Sequence, residues 1–224
     1  MVSDLRSGAV RHAVLPPALR GWLGPVVVLA ALVVALLGGR YAGDGEPGRV
    51  DERVWSALEG VPSPWRDVAR AVDFLGEPVG AAALVVAAVA GCLLLRRPRA
   101  AVLLVVSVTL AVGTATGLKH LVGRTIHGAD NLSYPSGHTA FLTAFALVLA
   151  LLAAGRPGLG GTAGTSLVLG AGLAAGAAMG WAQVVLGAHY PTDVLGGWCT
   201  ALALVPASAW CVDRVADAVR PDGE

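Results

Sequence analysis

Long apolar runs, each broken by a short polar stretch, organise this chain from end to end. They predict six helices at roughly 22–39, 78–95, 100–118, 137–154, 163–181 and 194–212. At 18 to 20 residues each, such helices measure about 27–30 Å, the thickness of a hydrocarbon core. Residues 43–76 follow another pattern. Asp44, Glu46, Arg49, Asp51, Glu52 and Arg53 mix both charges, and Gly45, Pro47 and Gly48 break structure. Beyond them Val50, Val54, Leu58 and Val61 recur near a helical period, as do Trp65, Val68, Ala69, Val72 and Leu75 after Pro62-Ser63-Pro64. Short amphipathic helices on the outer interface are expected there, with Trp55 and Trp65 at headgroup depth.

Arginines set the orientation. Arg6, Arg11 and Arg20 precede the first run, Arg96, Arg97 and Arg99 separate the second from the third, and Arg156 separates the fourth from the fifth. Arg214 and Arg220 follow the sixth. Placing all of these in the cytoplasm satisfies the positive-inside tendency with an even number of spans. It leaves 1–21 and 213–224 as a cytoplasmic segment and tail, and sends 119–136 and 182–193 to the outer face together. The first run is longer than a signal-peptide core, and Gly38-Gly39-Arg40 makes a poor cleavage site, so an uncleaved helix is expected.

Composition agrees with an all-α integral membrane protein of one domain, 1–224. The chain is 55% hydrophobic, with a mean hydropathy of +0.69. A net charge of +1 without a basic face argues against nucleic acid. Cys92, Cys199 and Cys211 have no paired or ligand-like spacing and read as small buried hydrophobes. Gly172, Gly176 and Gly180 fall on one helical stripe, where a neighbouring helix can approach closely.

Ionisable residues beside membrane spans are costly, and by default mark a functional site. Here they are His138, within Pro135-Ser136-Gly137-His138, His189, Asp193, and Lys119, the chain's one lysine. Ser136 suits the N-cap of the fourth run, and a helix N-terminus binds anions readily. With Lys119 and Arg124 on the same face it forms a candidate phosphate cradle. His189 and Asp193, one helical turn apart, make an imidazole oriented by a carboxylate, which serves as base or nucleophile. A second histidine opposite, His138, is suited to protonate a leaving group. Together they suggest phosphoryl transfer through a phosphohistidine.

These residues resemble the type 2 phosphatidic acid phosphatase family, the membrane branch that shares a fold with vanadium haloperoxidases. Its motifs are a Lys with Arg-Pro seven residues later, then Pro-Ser-Gly-His, then Ser-Arg, five residues, His, three residues and Asp. Pro135-Ser136-Gly137-His138 is complete, His189 and Asp193 keep the third spacing, and Lys119 fits the start of the first. The resemblance implies a six-helix bundle, with His189 as nucleophile, Asp193 as its orienting partner and His138 as general acid. Lys119, Ser136 and the Gly137 backbone would hold the phosphoryl oxygens. It implies a lipid phosphate or polyprenyl diphosphate substrate in the cell membrane, no cofactor and no metal, in keeping with the lack of a carboxylate cluster in the sequence. Two departures stand out: Ile126-His127 replaces Arg-Pro, and Ala182-Gln183 replaces Ser-Arg. Arg124 is then the nearest substitute cation, and Gln183 brings a neutral hydrogen bond where a charged fork is expected. His120 and His127 read as interfacial residues. A phosphotransferase shares the first half-reaction, and loss of the arginines leaves a non-catalytic lipid-phosphate binder as a third reading. Oligomeric state is not legible in the sequence.

Overall fold

The structure is a computed structural model and describes residues 14–16, 19–156, 159 and 161–219. Arg6, Arg11 and Arg220 therefore lie outside the described residues, as do most of the expected N-terminal segment and the end of the tail. Eight α-helices are described: α1 Arg20–Arg40, α2 Arg49–Leu58, α3 Ser63–Phe74, α4 Pro78–Leu94, α5 Pro98–Val122, α6 Gly137–Ala154, α7 Gly161–Val185 and α8 Pro191–Ala218. Five of them, α1, α5, α6, α7 and α8, are long and apolar enough to cross a membrane. The bent pair α3 and α4, at 56°, makes a sixth when taken together. The chain is thus a helical, multi-pass membrane protein.

Proline at the first helical positions starts α4, α5 and α8, where the missing N–H costs nothing. Gly123 ends α5 in a left-handed conformation (φ +66°), its N–H donating to the Lys119 carbonyl at 2.9 Å. The expected spans recur with longer ends. α5 runs on to Val122 and α7 to Val185, so Lys119 and Gln183 stand in closing helical turns. α8 opens at Pro191 and takes Asp193 into its first turn. The second expected span, 78–95, corresponds to the 17-residue α4.

α6 lies at the centre, packed on α5, α7 and α8, while α1 runs along α8. In α6 61% of the span is buried, against 17% in α1, so α1 keeps most of its surface for lipid. The core joins Leu103, Leu104, Phe141, Ala144, Val148, Leu151, Val168 and Val205, among others. The glycine stripe of α7 packs as expected. A Cβ on Gly176 would overlap Trp198, one on Gly180 would overlap Val194, and Trp198 Nε1 donates to the Gly172 carbonyl at 2.8 Å. Cys92 and Cys199 are buried, but Cys211 is exposed on α8 and corrects the expectation of three buried thiols.

The arginine end of the bundle is tied together. Asp213 accepts the Val14 and Leu15 N–H groups at 2.8 and 3.0 Å and lies 3.7 Å from Arg20, and Arg99 approaches Asp217 at 3.5 Å. At the opposite end stand α2, α3 and the connections 123–136 and 186–190. Both motif-bearing connections therefore share one end.

Candidate active site

The connection after α5 is pinned before it reaches the second motif. Thr125 pairs with Leu132 as an antiparallel bridge, and Thr125 N–H donates to the Asp44 carbonyl at 3.0 Å. This brings the Leu132 carbonyl 2.8 Å from Lys119 Nζ, which leaves two of the three ammonium protons for another acceptor. Ser136 caps α6 as expected: its Oγ accepts from Thr139 N at 3.4 Å and from Thr139 Oγ1 at 3.1 Å. Its own N–H donates to the Asp193 carbonyl at 2.9 Å, which ties the second motif to the third. The Gly137 and His138 N–H groups follow at the open end of the helix, where no intrahelical acceptor exists.

His189 reaches the site from a tight connection in which Gly187 takes φ +73°. Its imidazole is buried, with Nδ1 3.7 Å from Asp193 Oδ2 and no hydrogen-bond partner. Burial pushes the His189 pKa down, and Asp193 opposes that shift while Lys119 and His138 add to it. Asp193 is buried at the third position of α8, where Oδ2 accepts the Tyr190 N–H at 3.1 Å.

Arg124 departs from expectation. The sequence suggests a cation reaching a free anion, but the guanidinium is 0% exposed, both terminal nitrogens are paired with protein carboxylates, and only Nε is left without a partner. Nη1 donates to Asp193 Oδ1 at 2.6 Å and to Thr192 Oγ1 at 2.7 Å, and Nη2 donates to Asp51 Oδ2 at 2.8 Å. Its Cζ also lies over the rings of Tyr41 and Tyr190, 3.9 and 4.4 Å from their centroids. A guanidinium held this way is not free to grip a phosphate.

Gln183 is also buried, and its amide donates to Asp73 Oδ1. Asp73 and Glu77, from the junction of α3 and α4, approach His138 Nε2 at 3.7 and 3.5 Å. Gly76 permits this packing, since a Cβ there would overlap the His138 ring. The three donor atoms lie within 4.8 Å of one another. The expectation of no carboxylate cluster is therefore corrected: the fold assembles one from residues outside every motif. His127 Nε2 lies 2.7 Å from the Gly187 carbonyl and its ring stacks on Trp55, while His120 is exposed. Trp55 also lies 5.0 Å from Tyr190, so it roofs the third motif. Sequence reasoning missed Asp51, Asp73 and Glu77. Only the first-turn acid of α2 left a local trace, and it reads as ordinary helix capping.

A buried His–Asp pair, a helix N-terminus and a lysine thus stand at one end of a membrane bundle. The model of the PAP2 superfamily matches residues 100–217, and the chain belongs to that superfamily. The fold is similar to a crystal structure described as the first transmembrane PAP2 type phosphatidylglycerolphosphate phosphatase from Bacillus subtilis. The TM-score is 0.68 at 22% sequence identity, over 88% of this chain and 98% of that one. No curated protein matches the chain.

Proposed function

We propose that the protein is a metal-independent phosphatase of the cell membrane, acting at the outer face on a lipid phosphate or polyprenyl diphosphate. Its arginine-rich end supports a cytoplasmic placement of that end, and so an outward site. A lipid substrate suits a site at the tip of membrane helices, where Leu121 in the closing turn of α5 is 80% exposed. The headgroup would enter the site while the chain stays in hydrocarbon.

In the proposed reaction, neutral His189 attacks phosphorus through Nε2 while Asp193 steadies Nδ1. The bond from phosphorus to the lipid oxygen breaks, and that oxygen takes the proton carried by His138. Lys119 and the Gly137 N–H stabilise the charge that builds on the phosphoryl oxygens. Water then attacks the phosphohistidine and gives its proton to His138, and the P–N bond breaks to release inorganic phosphate and restore His189. Gln183, held by Asp73, faces the same site with a neutral amide. The observation that carries this reading is the hydrogen bond from Ser136 N–H to the Asp193 carbonyl, which joins the open N-terminus of α6 to the residue paired with His189.

The test is phosphate release by detergent-purified protein from prenyl diphosphates, phosphatidic acid and prenyl-phosphosugar phosphates, alongside His189→Ala. Release should vanish in the variant, and turnover near the parent level would refute the mechanism. Transfer to an added acceptor instead of water would identify a phosphotransferase.

A further inference from the structure

Asp51 lies outside the segment matched by the family model and in no motif, yet it is 0% exposed and bound into the third motif. Its Oδ1 accepts the Thr192 N–H at 2.9 Å, and Oδ2 accepts Gly48 N–H at 3.0 Å and Arg124 Nη2 at 2.8 Å. The Thr192 hydroxyl donates to the same carboxylate at 2.9 to 3.0 Å while accepting from Arg124 Nη1 at 2.7 Å. Asp51 thereby holds one arm of a guanidinium whose other arm holds Asp193 Oδ1 at 2.6 Å.

A guanidinium beside a carboxylate prefers two parallel hydrogen bonds, one to each oxygen. Such a pairing at Asp193 would draw Oδ2 away from the Tyr190 N–H and from His189. With Nη2 committed to Asp51, only Oδ1 is taken. We propose that Asp51 is a positioning residue for the His189–Asp193 pair: by occupying one arm of Arg124 it prevents a bidentate Arg124–Asp193 pair and leaves Oδ2 turned to His189. The inference rests on the proposed role of His189, but it concerns the pair's geometry and can be read without turnover.

Charged or titratable groups around His189 come from every side. Asp193 and Tyr190 lie at the start of α8, Lys119 at the end of α5, and His138 on α6 with Asp73 and Glu77 behind it. Arg124 and His127 come from the connection after α5, and Asp51 from α2. Losing Asp51 removes a buried negative charge and frees Arg124 to neutralise Asp193, and both effects disfavour the imidazolium. Losing Arg124 does the reverse.

The experiment is an imidazole titration of the full-length, 15N-histidine-labelled protein in detergent, with the His189 signal assigned by its absence in His189→Gln. Asp51→Asn should lower the His189 midpoint by about one pH unit and Arg124→Met should raise it by a similar amount. Glu52→Gln, an exposed acid on the same helical turn, should leave it in place. Where lipid phosphate is turned over, Asp51→Asn should lower kcat about tenfold with KM held, as expected for a misplaced catalytic pair. Folded variants with unmoved midpoints, shifts of the same sign in both, or an equal shift in Glu52→Gln would overturn the proposal. Should Arg124→Met not fold, Arg124→Gln removes the same charge while keeping an amide to donate, and should raise the midpoint in the same direction. No shift in either would likewise overturn it. A His189→Ala protein that still released phosphate would refute the phosphatase mechanism and leave this titration readable.

Discussion

Gly197→Ala tests the close approach of α6 and α8 on which the site is built. A Cβ at Gly197 would overlap the Ser136 carbonyl oxygen and stand 3.3 Å from Ala140 N, both backbone atoms of the first turn of α6. Backbone cannot rotate aside as a side chain can, so the two helices must part by roughly an ångström to regain ordinary contact. Overpacking of this kind costs about 1–3 kcal/mol. Stretching the hydrogen bond from Ser136 N–H to the Asp193 carbonyl, one turn earlier on α8, adds about 1 kcal/mol. Alanine returns about 1 kcal/mol of helix propensity. The balance, about 2 kcal/mol, should lower Tm by about 4–8 °C in a chain of this size. The same substitution at Gly113, exposed on α5 with nothing within 4 Å of its Cβ, should raise Tm slightly. Thermal unfolding of both variants in detergent measures the difference. Phosphate release should fall by at least about tenfold in Gly197→Ala, because Ser136 and Gly137 move relative to His189. A Gly197→Ala protein that melts at or above the parent, with Gly113→Ala behaving as described, would refute the argument.

Two further outcomes follow from the same geometry. Exhaustive chelation should leave phosphate release unchanged. Loss with EDTA and recovery with magnesium would instead give the Asp73, Glu77 and His138 cluster a catalytic metal. The pH profile should show an acid limb below the ordinary histidine value of about 6.5, because burial lowers the His189 pKa and keeps the proposed nucleophile neutral into mild acid. For stability the sign is fixed by the same shift. The unfolded chain binds this proton first as pH falls, so the contribution of neutral His189 is complete above about pH 6.5 and is lost as pH falls through its lower folded value. An acid limb at or above the ordinary value would contradict it.

The hydrophobic pattern carried most of the architecture. α6 begins and ends where the sequence places it, because Ser136 caps an apolar run whose first residue is the first helical residue. α5, α7 and α8 exceed their expected lengths because Lys119, Gln183 and Asp193 lower local hydropathy without breaking the backbone pattern. A hydropathy reading stops at a polar side chain, whereas a helix stops where its backbone is capped, as at Gly123. The bend between α3 and α4 is likewise hidden, since each helix alone reads as a separate element.

Charge direction is what the sequence could not convey. Arg124 and Lys119 look alike along the chain, as two cations flanking the end of one span. In three dimensions Arg124 turns inward to two carboxylates, one of them 73 residues away, and Lys119 keeps protons to offer. The acids that decide this are equally distant from what they touch: Asp51 lies 141 residues from Thr192, and Asp73 lies 110 from Gln183. Such pairings follow from packing of α2 and α3 over the motif end, for which no local period gives a signal. Their consequence is chemical. With Arg124 neutralised by Asp51 and Asp193, and with Asp73 and Glu77 set against His138, the proposed reaction would rely on Lys119 and the open helix end to attract the anion. A phosphate entering the proposed site would meet less positive charge than the motifs alone imply, so its binding would depend more on how accurately the His–Asp pair and the α6 N-terminus are placed.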